Sequence, residues 1–284
     1  MILVTGVTGA VGREVARLLA RTGPVRVLAR RPERVTVTGP DVEVHAAEYA
    51  DRPGLDRALD GVRAAFLVTN SATEPDDERF ATAAREAGVR HLMKLSMLAV
   101  EEPGADDFIT RRQRENERAV RESGLDWTFL RARTFMSNTL SWAPAIRSDG
   151  VVRALYGTSP VACVDPRDIA EVAVTALTRP GHEGRAYALS GPEAITARQQ
   201  TAQLSEVLGR SLRFEELGLD AAREHLLRRY PRPVADAFLE SAERQRAGAK
   251  AQVVPTVREV TGRPARPFRT WAADHAEAFG RSEE

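Results

Sequence analysis

Lysine is almost missing from this sequence. Lys94 and Lys250 are the only two among 41 basic residues, so 39 are arginine. Cysteine is rarer still: Cys163 stands alone, which excludes an internal disulfide and any zinc site built on cysteine pairs. The five histidines, at 45, 91, 182, 225 and 275, never fall at metal-ligand spacing, and no HExxH occurs. No run approaches the roughly 20 apolar residues of a membrane span. No leader pattern is present either, because a strand-like apolar run opens the chain and meets a glycine turn at once. Net charge is lacking too: it is +1 over 284 residues, with the arginines interleaved among Asp and Glu. Such a surface has no field to gather nucleic acid or an anionic bilayer. These absences predict a soluble, cytoplasmic globular protein with no metal, membrane or nucleic-acid partner.

What is present is a rhythm. Apolar runs at 2–5, 25–29, 42–46, 64–69, 91–95 and 127–130 read as strands. Between them lie helical patterns from Val11 up to Gly23 and near 53–59, 76–87 and 107–122. Strands alternating with helices of this length predict βαβ units, hence an α/β fold of Rossmann type with a doubly wound parallel sheet. After about Arg133 the rhythm breaks into short strands at 151–155, 161–164 and 186–189, with helices at 166–177 and from Thr196 to Leu208. Thr196 and Gln199 have the spacing of a capping box. The division predicted is a dinucleotide-binding domain over 1–150 and a smaller α-rich substrate lobe over 151–284, parts of which return to the main sheet.

The first strand–helix junction reads Thr5-Gly6-Val7-Thr8-Gly9-Ala10-Val11-Gly12. A glycine turn here lets backbone amides and a helix N-terminus approach a pyrophosphate. Gly6 permits the tight turn, Gly9 removes a side chain that would block the phosphates, and Gly12 allows close helix–sheet packing. The spacing is GxxGxxG, a departure from the GxGxxG fingerprint. Strand two then ends Leu28-Ala29-Arg30-Arg31-Pro32, with no acid to hold ribose hydroxyls. An arginine in that place suits a 2′-phosphate. The pattern therefore predicts NADP(H), preferred over NAD(H).

These segments resemble the NmrA-like family of atypical short-chain dehydrogenase/reductases. So do Ser123 to Arg131, Phe135-Met136-Ser137-Asn138, Asp165 to Ala170 and Leu189 to Glu193. The resemblance spans nearly the whole chain. It implies a cofactor site at Gly6, Thr8, Gly9, Ala10, Val11, Gly12 and Arg30, with Thr69 and Asn70 beside the adenosine ribose. It also implies that the segment from Thr134 to Asn138 borders nicotinamide and substrate, so that Phe135, Met136 and Asn138 shape the acceptor pocket. Members of the family include quinone, azo-dye and triphenylmethane-dye reductases, benzylic ether reductases, and NADP-binding regulators.

The lysine count has a catalytic consequence. Ordinary short-chain dehydrogenases use Tyr-x-x-x-Lys, in which the lysine helps the phenol exchange a proton with substrate. Four residues after Tyr49, Tyr156, Tyr187 and Tyr230 stand Pro53, Pro160, Gly191 and Val234, so the dyad is absent. Some family members carry a lysine or histidine on the long helix, where this chain has the candidate Gln113, able to hydrogen-bond a carbonyl but not to deliver a proton. Ser96, ending strand five, is the remaining candidate, as a hydrogen-bond donor to a developing oxyanion. A site without a strong acid suits an acceptor that is already electrophilic: a quinone, an azo group or a conjugated dye. The first function predicted is an NADPH-dependent oxidoreductase of small aromatic or conjugated substrates. The alternative is a non-catalytic redox sensor acting through protein partners, motivated by the arginine-rich stretch from Arg223 to Arg246. The assembly state stays open between monomer and homodimer.

Overall fold

Strand β1 (Ile2–Thr5) is the element around which the rest is arranged. In the computed structural model, which describes residues 1–280, it is followed by α1 (Ala10–Leu19), β2 (Val25–Ala29), β3 (Val42–Ala46), α2 (Arg52–Leu59), β4 (Ala64–Leu67), α3 (Asp76–Glu86), β5 (His91–Met97), α4 (Phe108–Glu122) and β6 (Asp126–Ala132). The chain continues through α5 (Ala143–Asp149), β7 (Val151–Ala154), α6 (Pro166–Thr178), β8 (Arg185–Leu189), α7 (Ala197–Leu208) and β9 (Arg213–Glu216). It closes with α8 (Leu219–Leu227), α9 (Arg232–Arg246), α10 (Thr256–Thr261) and α11 (Phe268–Asp274).

Seven strands pair in the order β3-β2-β1-β4-β5-β6-β8, every pair parallel. The order reverses on either side of β1, which opens a crevice at the C-terminal strand ends. Alternation along each strand feeds two cores. Val4, Phe66, Met93 and Leu130 point into the layer holding α1 and α6. Leu3, Leu67, Leu92 and Phe129 point into the opposite layer with α2, α3 and α4. A sheet covered on both faces needs apolar residues at consecutive positions, which is why these strands read as unbroken apolar runs. Full burial of each such side chain contributes about 1.5–3 kcal/mol.

Residues beyond 150 contribute both to this sheet and to a separate core. β8 extends the main sheet, and α6 packs on α1. The third core gathers Ile146, Val152, Leu204, Phe268, Trp271 and Phe279 beneath a two-stranded parallel sheet of β7 and β9. Helix starts are capped where the sequence offers a short polar side chain. Asp51 accepts from the Gly54 amide, Asp107 from Thr110 and Asp165 from Arg167, while Thr196 and Gln199 complete a reciprocal capping box.

Two expectations are corrected. Residues 161–164 form no strand; Val161 makes a single bridge to Ile195 and Val164 one to Phe135. The run is apolar because it is buried in a connection, and a short apolar run carries no period to separate the two cases. β4 stops at Leu67, before Thr69, because Val68 turns its polar groups to side chains. Its amide donates to Thr5 Oγ1 at 2.8 Å, and its carbonyl accepts the Tyr49 hydroxyl at 2.7 Å.

Candidate active site

The glycine turn closes where β1 meets α1. Gly6 sits at φ +66°, a left-handed conformation that a side chain strains, and a Cβ there would lie 2.6 Å from the Val68 Cβ. Gly12 is held closer still: its Cβ would meet the Gly6 carbonyl oxygen at 2.4 Å. Gly9 is the N-cap of α1, with no side-chain cap and no acidic residue in the first turn. The first-turn amides therefore point outward without protein acceptors, a ready site for an anion. Val11 and Gly12 are buried, so they shape the turn through backbone and packing, whereas Thr8 is exposed at its rim.

A cleft of about 510 Å³ opens from this turn. It is lined by Gly6, Val7 and Thr8 of the turn, by Arg30 and Asn70, and by Ala47, Tyr49 and Arg79. Tyr49 is locked by its bond to Val68 and by an edge contact with Phe80, and burial pushes its phenol well above the usual range. Arg79 is neutralised by Glu74 at 2.9 Å and Asp76 at 3.4 Å. Arg30 makes no ion pair among the described residues, so its guanidinium is the unspent cation of the cleft. The cradle that a Cβ would fill, the free helix amides and this spare arginine fit a dinucleotide with a 2′-phosphate. The wall from Ala47 to Ala50 had no sequence signal, because it follows an exposed edge strand without a motif.

Thr69 does not face the cleft. Its hydroxyl donates to Asp77 Oδ2 at 2.7 Å, and Asp77 in turn pairs with Lys94 at 2.5 Å, the last two side chains fully buried. This network anchors the exit of β4 and carries Asn70 to the cleft. Its role is support.

At the other end of the crevice the candidates divide. Ser96 is buried, but its hydroxyl donates to Glu117 Oε1 at 2.7 Å, and Glu117 also holds Arg131 at 2.6 Å. That corrects the oxyanion-donor expectation, because the Ser96 proton is committed to a carboxylate. Gln113 lies on the same inner face of α4, with a buried Oε1 that has no hydrogen-bond partner. It is an acceptor available to a ligand hydroxyl. Met136 is corrected as a pocket wall: it is 1% exposed and packs in the third core, where the turn over residues 136–142 folds it inward. Asn138 is exposed. Phe135 is half-buried against the first core and is the aromatic face left on that edge. Burial pushes the Cys163 thiol up to about 12, which makes it inert as a nucleophile.

The arginine-rich stretch is not a free basic surface. Arg223 pairs with Asp236 at 2.7 Å, Arg228 with Glu224 at 3.1 Å and Arg246 with Glu243 at 2.8 Å. Part of its charge is thus paired within the α8–α9 hairpin, and Arg244 instead pairs with Asp107 and Glu102 of the main body, which weakens the motive for a docking face. A second depression of about 520 Å³, between α3 and α4, opens away from the glycine turn and alternates arginine with glutamate.

The profile of the NmrA-like family matches residues 1–260. The chain belongs to this family. It is 77% identical over 98% of its length, and 99% of the relative's, to the (4-alkanoyl-5-oxo-2,5-dihydrofuran-3-yl)methyl phosphate reductase of Streptomyces griseus. It is 38% identical to the NAD(P)H azoreductase of Xenophilus azovorans over 99% of both chains. Among solved structures, the NADPH-dependent quinone oxidoreductase of Escherichia coli, complexed with NADPH, superposes with a TM-score of 0.83. That match has 26% identity and covers 96% of this chain and 99% of that one. No helix among the described residues is long and apolar enough to cross a membrane.

Proposed function

We propose that this chain is an NADPH-dependent reductase of a conjugated acceptor, and that the acceptor is a (4-alkanoyl-5-oxo-2,5-dihydrofuran-3-yl)methyl phosphate. The observation that carries this reading is the 77% identity to the Streptomyces griseus enzyme over nearly the full length of both chains. Residue chemistry supports it. The amides after Gly9 hold the pyrophosphate, Arg30 holds the 2′-phosphate, and Gln113 Oε1 accepts from a hydroxyl toward the nicotinamide end. Phe135 offers a flat wall to a planar ring.

The acceptor's name describes a ring double bond conjugated with two carbonyls, one of the lactone and one of the alkanoyl group. Bound NADPH supplies a hydride. Its arrival at the ring carbon bearing the phosphomethyl group leaves an enolate spread over both carbonyl oxygens. A proton then reaches the neighbouring ring carbon from water. Such an enolate is stable enough to form without a strong acid beside it, so the absence of a tyrosine–lysine dyad costs this reaction little. Ser96, tied to Glu117, holds the end of β5 in place and gives up no proton.

Loss of NADPH absorbance with a panel of acceptors tests the reading. The butenolide phosphate gives the highest kcat/KM, and quinones and azo dyes give lower values. Absence of turnover with the butenolide phosphate, in protein that binds NADPH, contradicts it.

A further inference from the structure

Five charged side chains from separate parts of the chain meet beside the ends of β5 and β6. Glu102 follows the turn after β5, Asp107 caps α4, Arg133 follows β6, Arg244 lies in the last turn of α9, and Lys250 lies just beyond it. Arg133 donates to Glu102, and Arg244 donates to Asp107 Oδ2 at 2.7 Å. The lysine amine donates to Ser241 Oγ at 2.8 Å and is held within the field of both arginines and both carboxylates.

The cluster is not balanced. Three cations face two carboxylates, and Asp107 already accepts from the Thr110 amide at 2.9 Å and the Thr110 hydroxyl at 2.6 Å. One donor is left over. The Arg133 Nε is buried without a hydrogen-bond partner. Arg244 Nε and Glu102 Oε2 lack one as well, but they face each other as an ion pair at 3.5 Å. The Arg133 side chain is only 5% exposed, so water does not serve it freely. The Lys250 amine has three hydrogens and one protein acceptor. An unmet buried donor beside surplus positive charge marks the place of an anionic acceptor.

Position identifies which anion. Arg133 stands two residues before Phe135, at the same strand edge as the glycine turn but three strands along from β1. At roughly 4.8 Å per strand that is roughly 14 Å, beyond the pyrophosphate and away from Arg30. An anion here comes from the substrate. We infer that Arg133, Arg244 and Lys250 form the subsite for the phosphate of the phosphomethyl group, an inference that rests on the acceptor proposed above. A phosphate monoester brings three terminal oxygens, enough to serve the Arg133 Nε and the lysine beside the positive charge of Arg244. The chain's two lysines are then both accounted for, one in a sealed ion pair and one at the substrate.

The test compares kcat/KM for the butenolide phosphate with that for its hydroxymethyl analogue, in the full-length protein. Wild type prefers the phosphate by a hundredfold or more, and the preference falls at least tenfold in Lys250→Met. Arg244→Gln, which keeps a neutral hydrogen bond to Asp107, gives a similar fall and guards against a fold defect in either variant alone. Arg228→Gln, on the paired surface of α8, keeps the wild-type preference. An unchanged preference in both folded cluster variants overturns the subsite. If wild type reduces neither compound, the acceptor reading fails instead. The subsite is then tested by titrating methyl phosphate into NADP-loaded protein, where at least tenfold weaker binding in Lys250→Met supports it and equal binding overturns it.

Discussion

Lys94 and Asp77 form an ion pair 2.5 Å apart with both side chains sealed from solvent. The pair links β5 to α3, and through Thr69 it fixes the turn that brings Asn70 to the cleft. Removing one partner strands the other charge in the interior. Lys94→Met should therefore destabilise the protein by about 3–5 kcal/mol. The double variant Lys94→Met/Asp77→Leu should recover much of that loss, because neither charge is then buried. Urea unfolding of the three proteins checks both statements, and a double variant as unstable as the single contradicts them.

The glycine turn makes a sharper prediction about sterics. A methyl group at Gly12 meets the Gly6 carbonyl oxygen at 2.4 Å and the Thr5 carbonyl oxygen at 2.7 Å, all three atoms belonging to the turn itself. Gly12→Ala should cost about 1–3 kcal/mol of stability and weaken NADPH binding at least tenfold. Gly218→Ala is the control: its Cβ meets nothing within 4 Å, and its φ of −70° suits alanine. Thermal unfolding and a fluorescence titration of NADPH distinguish the two sites.

The proposed role of Arg30 makes cofactor choice depend on one guanidinium. Arg30→Asp should raise the Kd for NADPH far more than that for NADH, by at least tenfold in their ratio, because the new carboxylate repels a 2′-phosphate. Titrations with both cofactors measure the ratio. Equal loss for both places the 2′-phosphate reader elsewhere.

The pH dependence of stability follows from Lys250. Burial, then Arg244 and Arg133, push its amine down to about 8, against the pull of Glu102 and Asp107. In the unfolded chain a lysine titrates near about 10.4. Between those values the unfolded chain binds the extra proton, so stability rises with pH across the window. The rise is on the order of 2–3 kcal/mol. Urea midpoints from pH 7.5 to 10.5 read it out, and the contribution should vanish in Lys250→Met. A slope that the substitution leaves intact belongs to another group.

The sheet, its connections and the glycine turn were legible because each leaves a local mark. Buried parallel strands are unbroken apolar runs, and the start of α7 shows the Thr196–Gln199 capping box. The turn needs Gly6 and Gly12 for reasons visible in neighbouring residues. What was not legible depends on register and distance. Lys94 and Asp77 meet only because β5 pairs with β4 and α3 folds back over them. Ser96 looked like a free hydroxyl because Glu117 is a turn and a helix away. Met136 looked like a pocket wall because nothing local says that the turn after β6 folds inward. Arg133 lies more than a hundred residues from Arg244 and Lys250, with no common period. Yet the lysine scarcity that makes Lys250 conspicuous was a signal in plain view.

The central claim is tested most directly by incubating the protein with the butenolide phosphate and NADPH deuterated at C4 of the nicotinamide, then analysing the product by mass spectrometry and NMR. One equivalent of NADPH should be consumed per product, with deuterium on the ring carbon that bears the phosphomethyl group and a solvent proton on its neighbour. Unreacted butenolide phosphate in the presence of bound NADPH, or deuterium delivered to a carbonyl carbon, contradicts it.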